Sequence, residues 1–167
     1  MMKGITFDEM TIGQSASFAK TISETDVYLF AGITGDFNPA HINEPYAEGS
    51  VFKKRIAHGM LGAGLISAVL GMYLPGPGTI YMKQDLKFLA PVYIGDTITA
   101  TCTVREKIEG KNRVIIDCSV VNQEGVQVIS GEAMVMLPKA WLLKKLDIVG
   151  KKMYNHCNEK YEHKEQL

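Results

Sequence analysis

Small or apolar residues alternate with polar ones over residues 14–22, with Ala16 and Phe18 on one side, which is the period-two pattern of a strand. Ser23-Glu24-Thr25-Asp26 follows, with a side-chain oxygen placed to cap free backbone N–H groups. Val27, Phe30 and Ile33 continue at helical spacing, and Gly32 and Gly35 weaken and end that helix. In Asp36-Phe37-Asn38-Pro39-Ala40-His41, Pro39 drives Asn38 toward extended backbone and has no N–H to donate. This piece is therefore expected as a fixed loop rather than a helix, with a short helix over residues 44–48. Residues 60–73 form the longest helical stretch. It is apolar on nearly every face, which predicts a helix buried all round. Each interior glycine there costs roughly 1 kcal/mol relative to Ala. Gly62, Gly64 and Gly71 thus imply that another backbone or a ligand comes close.

Pro75-Gly76-Pro77-Gly78 breaks the chain. The pattern then becomes a β meander, with runs over residues 80–89, 97–107, 114–122 and 126–137. In the second run Ile98, Cys102 and Val104 share a face. A strand, helices, one long apolar helix and then four strands predict an α+β domain in which an antiparallel sheet wraps the long helix.

At 167 residues, with 46% hydrophobic and 22% charged, the chain suits one globular domain. Lys plus Arg equals Asp plus Glu at 18 each, which counts against a nucleic-acid partner. The balance is uneven. Beyond Leu137 there are seven Lys and four acids, a net of +3, against −3 for the rest. Residues 1–137 are accordingly read as the domain and 138–167 as a C-terminal extension. Leu142, Leu146, Val149 and Met153 recur there at helical spacing, with lysines between them. A helix packed on its own domain or on a partner is expected over a membrane-surface contact, because Gly150 interrupts the face and one short basic helix anchors weakly. Cys102, Cys118 and Cys157 are odd in number and lack CxxC spacing, so reduced thiols in the cytoplasm are expected. The N-terminus has no apolar signal-peptide core, and residues 60–74 fall short of the ~20 residues of a membrane span.

The candidate chemistry lies in FAGITGDFNPAH, residues 30–41. On a regular helix Asp36 and His41 would diverge by about 140°. On a proline-set loop they can converge. A carboxylate facing an imidazole suits the holding of a water molecule and the transfer of its proton. Taken alone, such a pair is more often a loop Asp capping an N–H and a His satisfied by a carbonyl, because single pairs recur by chance. It lacks a third ligand for a metal, and no Ser or Cys stands by a base as a nucleophile. Gly62-Ala63-Gly64 is not a dinucleotide loop, because it lies inside the apolar helix.

As a whole the segment resembles the MaoC-like, or hydratase 2, family of (R)-specific enoyl-CoA hydratases. That family's motif is an aromatic residue, a spacer, then a small residue, Gly-Asp-x-Asn-Pro, an aliphatic residue and His. Here it reads Phe30, then Thr34-Gly35-Asp36-Phe37-Asn38-Pro39-Ala40-His41, with Ala40 where Leu or Ile is usual. A second block, Ile56-Ala57-His58-Gly59-Met60, opens the long helix, and Pro91-Val92-Tyr93-Ile94-Gly95-Asp96 matches a family turn. The resemblance implies a hotdog fold and reversible hydration of a trans-2-enoyl-CoA. It makes Asp36 and His41 the catalytic pair, with Asn38 fixing their loop. Gly59 would offer a backbone N–H to the thioester oxygen, and Ser67 matches a polar position facing the site. Leu70 and Met60 would border the acyl chain. Apart from the resemblance, the charges of Lys53, Lys54 and Arg55 suit either contact with coenzyme A phosphates or a solvated loop. His58 is read as structural. No metal and no cofactor are expected, because water is the second substrate. A homodimer is expected from the open sheet edge and the Gly-rich helix. The alternatives are a dehydratase acting on acyl carrier protein, a hotdog thioesterase and a non-catalytic acyl-thioester binding module.

Overall fold

Ser23 starts the first helix with a reciprocal cap: its hydroxyl accepts the Asp26 N–H at 3.2 Å, and the Asp26 carboxylate accepts the Ser23 N–H at 2.9 Å. In the computed structural model, which describes residues 4–139, this helix α1 spans Glu24–Thr34 and follows strand β1 at Ser15–Thr21. Two short helices come next, α2 at Pro39–Ile42 and α3 at Glu44–Gly49, then the long α4 at Gly59–Met72. Four strands complete the domain: β2 at Ile80–Phe88, β3 at Thr97–Ile108, β4 at Arg113–Val121 and β5 at Gln127–Met136. Residues 140–167, with the expected helix around Leu142 to Met153 and with Cys157, lie outside the described residues.

The strands form one antiparallel sheet in the order β1-β3-β4-β5-β2. β2 follows α4 in sequence yet pairs at the edge with β5, so the chain passes over β5 and β4 between β2 and β3. The sheet wraps α4, which packs against β1, β2, β3 and β4 in the expected hotdog arrangement. Alternation holds along β3, where Ile98, Ala100, Cys102 and Val104 all point inward. They meet Ile66, Val69 and Leu70 of α4 and Ile116 and Val120 of β4 in one buried cluster. Each Ile, Val and Leu among them contributes about 1.5–3 kcal/mol through its removal from water.

The structure corrects three expectations. The segment read as loop contains a helical turn, α2. Pro39 stands at its first position, where a missing N–H costs nothing, and the Asn38 side chain caps it. Ile33 is 83% exposed rather than on the inner face of α1, which is formed by Val27 and Ala31. Finally, α4 is not buried all round. Met60, Gly64, Ser67 and Gly71 are exposed along one side, turned away from the sheet's core.

Candidate active site

Gly35 closes α1 in the left-handed region, at φ 77°, where a side chain would be strained. Three local bonds then shape the turn. The Thr34 hydroxyl accepts the Asp36 N–H at 3.3 Å, Asp36 Oδ1 accepts the Asn38 N–H at 3.2 Å, and Asn38 Oδ1 accepts the Ala40 N–H at 3.0 Å. Asn38 thus both caps α2 and engages the Asp36 carboxylate.

α2 is clasped to the segment before α4. The Ile56 N–H donates to the Ala40 carbonyl at 3.2 Å, and the His41 ring bonds back to the Ile56 carbonyl at 2.8 Å. That segment is pinned in turn to residues 91–96. The Ala57 N–H donates to the Val92 carbonyl at 2.7 Å, and the turn itself is held by the Asp96 carboxylate, which accepts the Tyr93 N–H at 2.8 Å. The three sequence blocks are therefore one hydrogen-bonded assembly.

A carbonyl oxygen can only accept, so in the neutral His41 ring Nδ1 carries the proton and Nε2 carries the lone pair. Asp36, His41 and His58 each offer a nitrogen or carboxylate oxygen within 4.8 Å of the other two. They border a cavity of about 740 Å³ whose walls include Phe30, Phe52, Phe88, Val92 and Ile129. Asp36 is exposed, His41 half-buried and His58 buried, so the pair stands where solvent meets the cavity. A carboxylate and a basic nitrogen at the edge of an apolar cavity can hold one water molecule and move its proton.

The N-terminus of α4 reaches the same cavity through Gly59 and Met60 and has no side-chain cap. Its first N–H groups and the positive end of its dipole suit an oxygen that gains negative charge. A Cβ on Gly59 would stand 2.8 Å from the Phe88 ring, so a side chain here requires that ring or the start of α4 to shift.

His58 is a third ligand-type side chain that the spacing of Asp36 and His41 did not reveal. Its ring lies over that of His41, with centroids 3.8 Å apart and planes 33° apart.

Of the residues expected at the site, the fold gathers Asp36, His41, Gly59 and Met60 around one cavity, with Asn38 behind. Ser67 and Leu70 do not border it within the single chain. Ser67 lines a separate hollow of about 430 Å³ between α4 and β2, and Leu70 is buried in the core. Lys53 and Lys54 are exposed next to Phe52, which does line the cavity. Arg55 is engaged elsewhere. Its guanidinium bonds to Glu24, to Glu44 at 2.8 Å and to the Tyr28 hydroxyl at 3.0 Å, and the bonds to Glu24 and Glu44 raise its pKa. Sequence reasoning missed Thr34 and Phe88. Thr34 stood inside the quoted motif as a possible signal, whereas Phe88 reaches the site only through the pairing of β2 with β5.

The MaoC-like domain model matches residues 8–125. The chain is 60% identical over 134 residues to the (R)-specific enoyl-CoA hydratase of Rhodospirillum rubrum, a match that covers 79% of this chain and 91% of that one. It is 44% identical over 138 residues to the 3-hydroxybutyryl-CoA dehydratase of Methylorubrum extorquens, covering 83% and 87% of the two. The solved structure of an R-hydratase from Pseudomonas aeruginosa, in the unliganded form, resembles it with a TM-score of 0.78 at 47% identity over 82% of this chain and 88% of that one. The motif around Asp36 and His41, the sheet wrapped about α4 and these likenesses agree: the chain belongs to the MaoC-like domain family.

Proposed function

We propose that this protein is an (R)-specific enoyl-CoA hydratase, adding water reversibly across the C2=C3 bond of a trans-2-enoyl-CoA to give the (3R)-hydroxyacyl-CoA. The observation that carries the reading is the convergence of Asp36 and His41 at an apolar cavity bordered by the uncapped N-terminus of α4. The names of the Rhodospirillum and Pseudomonas relatives support it.

A water molecule lies between the Asp36 carboxylate and His41 Nε2. One of the pair takes a proton as the water oxygen bonds to C3. The C2=C3 electron pair moves toward the thioester, whose oxygen gains charge opposite the Gly59 N–H. The proton held by the pair then goes to C2, and the pair returns to its starting state. Preorganised donors at such an oxygen contribute about 3–4 kcal/mol each. Lys53 and Lys54 meet the coenzyme A phosphates. Arg55, already paired with two carboxylates, serves the scaffold instead.

The working form is a homodimer. Support comes from β2, an edge strand with Ile80, Tyr81 and Met82 exposed, beside the exposed side of α4 that carries Met60 and Ser67. Among the described residues no helix is long and apolar enough to cross a membrane. Cys102 and Cys118 are free thiols, which fits the reducing cytoplasm.

The test is turnover of crotonyl-CoA, followed through loss of the enoyl thioester absorbance, with chiral analysis of the product. Formation of (3R)-hydroxybutyryl-CoA is expected. Inactivity on short, medium and branched enoyl-CoAs, with activity on the same acyl groups carried by acyl carrier protein, overturns the coenzyme A assignment.

A further inference from the structure

His58 has no part in the proton transfers just described, yet its surroundings are specific. It is 3% exposed. Its ring packs against Phe30, with centroids 4.9 Å apart, and against His41 at 3.8 Å. Its Nε2 bonds to the main-chain carbonyl of Asp36 at 2.9 Å. That oxygen can only accept, so Nε2 carries the proton. Nδ1 is buried without a partner among the described residues. A buried polar atom left unpaired costs about 1–3 kcal/mol. An apolar side chain of similar size would avoid that cost but would leave the Asp36 carbonyl without this donor, so the imidazole is distinguished here by the bond it makes and not by its bulk.

The Asp36 bond gives a reason. The other hydrogen bonds described at Asp36, Phe37 and Asn38 run to residues within four positions in sequence. The bond from His58 is the one that ties this turn to a distant segment, the start of α4, twenty-two residues on. The same ring backs the face of His41, whose own tether is the Ile56 carbonyl. One side chain therefore touches both members of the reacting pair and belongs to the segment that presents Gly59.

We propose that His58 is a positioning residue, whose N–H fixes the Asp36 main chain and whose ring face fixes the His41 imidazole, so that carboxylate, base and the Gly59 N–H keep one register. The inference rests on Asp36 and His41 being the reacting pair. Displacement by about 1 Å at such a site can cost on the order of 100-fold in rate.

The experiment compares His58→Leu, His58→Phe and His58→Gln in the full chain, with circular dichroism to confirm folding. His58→Leu is expected to lower kcat by about 10- to 100-fold with KM within about threefold. His58→Phe keeps the ring contact and His58→Gln keeps a donor, so each should recover part of that loss. Amide hydrogen exchange gives a readout independent of turnover: residues 35–42 should exchange faster in the Leu and Phe variants than in the wild type, and less so in the Gln variant. A folded His58→Leu variant with wild-type kcat overturns the proposal, as does a loss expressed in KM alone, or unchanged exchange over residues 35–42. Failure of all three variants to fold also overturns it, because His58 would then serve only the fold. If Asp36→Asn and His41→Ala retain wild-type turnover, the reading of the pair has failed instead, and the exchange data still decide whether the tether exists.

Discussion

The Nδ1–H of His41 donates to the carbonyl oxygen of Ile56 at 2.8 Å, and this bond decides which nitrogen of the ring faces the chemistry. His58 bonds to the Asp36 carbonyl through Nε2, so the two stacked rings hold their protons on opposite nitrogens. Nitrogen-15 NMR of the imidazoles should find the neutral ring of His41 protonated at Nδ1 and that of His58 at Nε2. A His41 ring protonated at Nε2 would leave no lone pair for a water molecule in the cavity.

Gly59 is held to glycine by a neighbour. With a Cβ the helix would stand 2.8 Å from the Phe88 ring, so Gly59→Ala must push that ring aside or move the start of α4. A fall of about 10-fold or more in kcat is expected, since the N–H proposed to face the thioester moves with it. The two positions should be coupled: Phe88→Ala should cost less in the Gly59→Ala background than in the wild type. Additive losses would mean that the two residues act separately.

Arg55 and its lysine neighbours should separate in kinetic assays. Arg55 joins α1, through Glu24 and Tyr28, to α3, through Glu44. Its partners are half exposed, so the network is worth about 1 kcal/mol rather than several. Arg55→Ala should lower the thermal midpoint by about 2–4 °C with KM for enoyl-CoA changed less than about threefold. Lys54→Ala should do the reverse, leaving the midpoint alone and raising KM more at low salt than at high salt. An Arg55→Ala variant that raises KM without loss of stability would restore the phosphate role to that residue.

The cap of α1 gives the protein an acid-sensitive contact. The Ser23 N–H, then its hydroxyl, and Lys20 at 3.1 Å hold the Asp26 carboxyl below its ordinary value of 3.8. The carboxylate therefore adds stability at any pH above 3.8, and that contribution fades as the pH falls through the lower value of the folded state. In urea titrations Asp26→Asn should be less stable than the wild type by about 0.3–1 kcal/mol at neutral pH. The gap should narrow on acidification below 3.8. A constant gap would show that lost packing, not charge, explains the variant.

Much of the fold was legible because its signals are local. Ser23 and Asp26 announced the start of α1, and Gly35 its end. Alternation at Ile98, Cys102 and Val104 announced β3. Sheet order was not legible, because β2 finds β5 across more than forty residues, and no turn between them records it. α2 was missed because Pro39 was read as a breaker, when its position after a capping Asn makes it a starter. The exposed side of α4 was hidden by its composition. Met60 and Gly64 are apolar yet lie outside the core of this chain. At the site, Asp36, Asn38 and His41 were visible in one short motif. His58 was visible in the second block but was read as structural, and Phe88 was not visible, since the roles of both depend on which rings and strands the fold stacks together.

The central claim is that Asp36 and His41 act on one water molecule beside an enoyl thioester. Turnover of crotonyl-CoA by Asp36→Asn and by His41→Ala, each checked for native circular dichroism, tests it most directly. Each variant is predicted to lose about 10²- to 10⁴-fold in kcat, the range in which a positioned acid or base contributes. Wild-type turnover by either variant would contradict the claim.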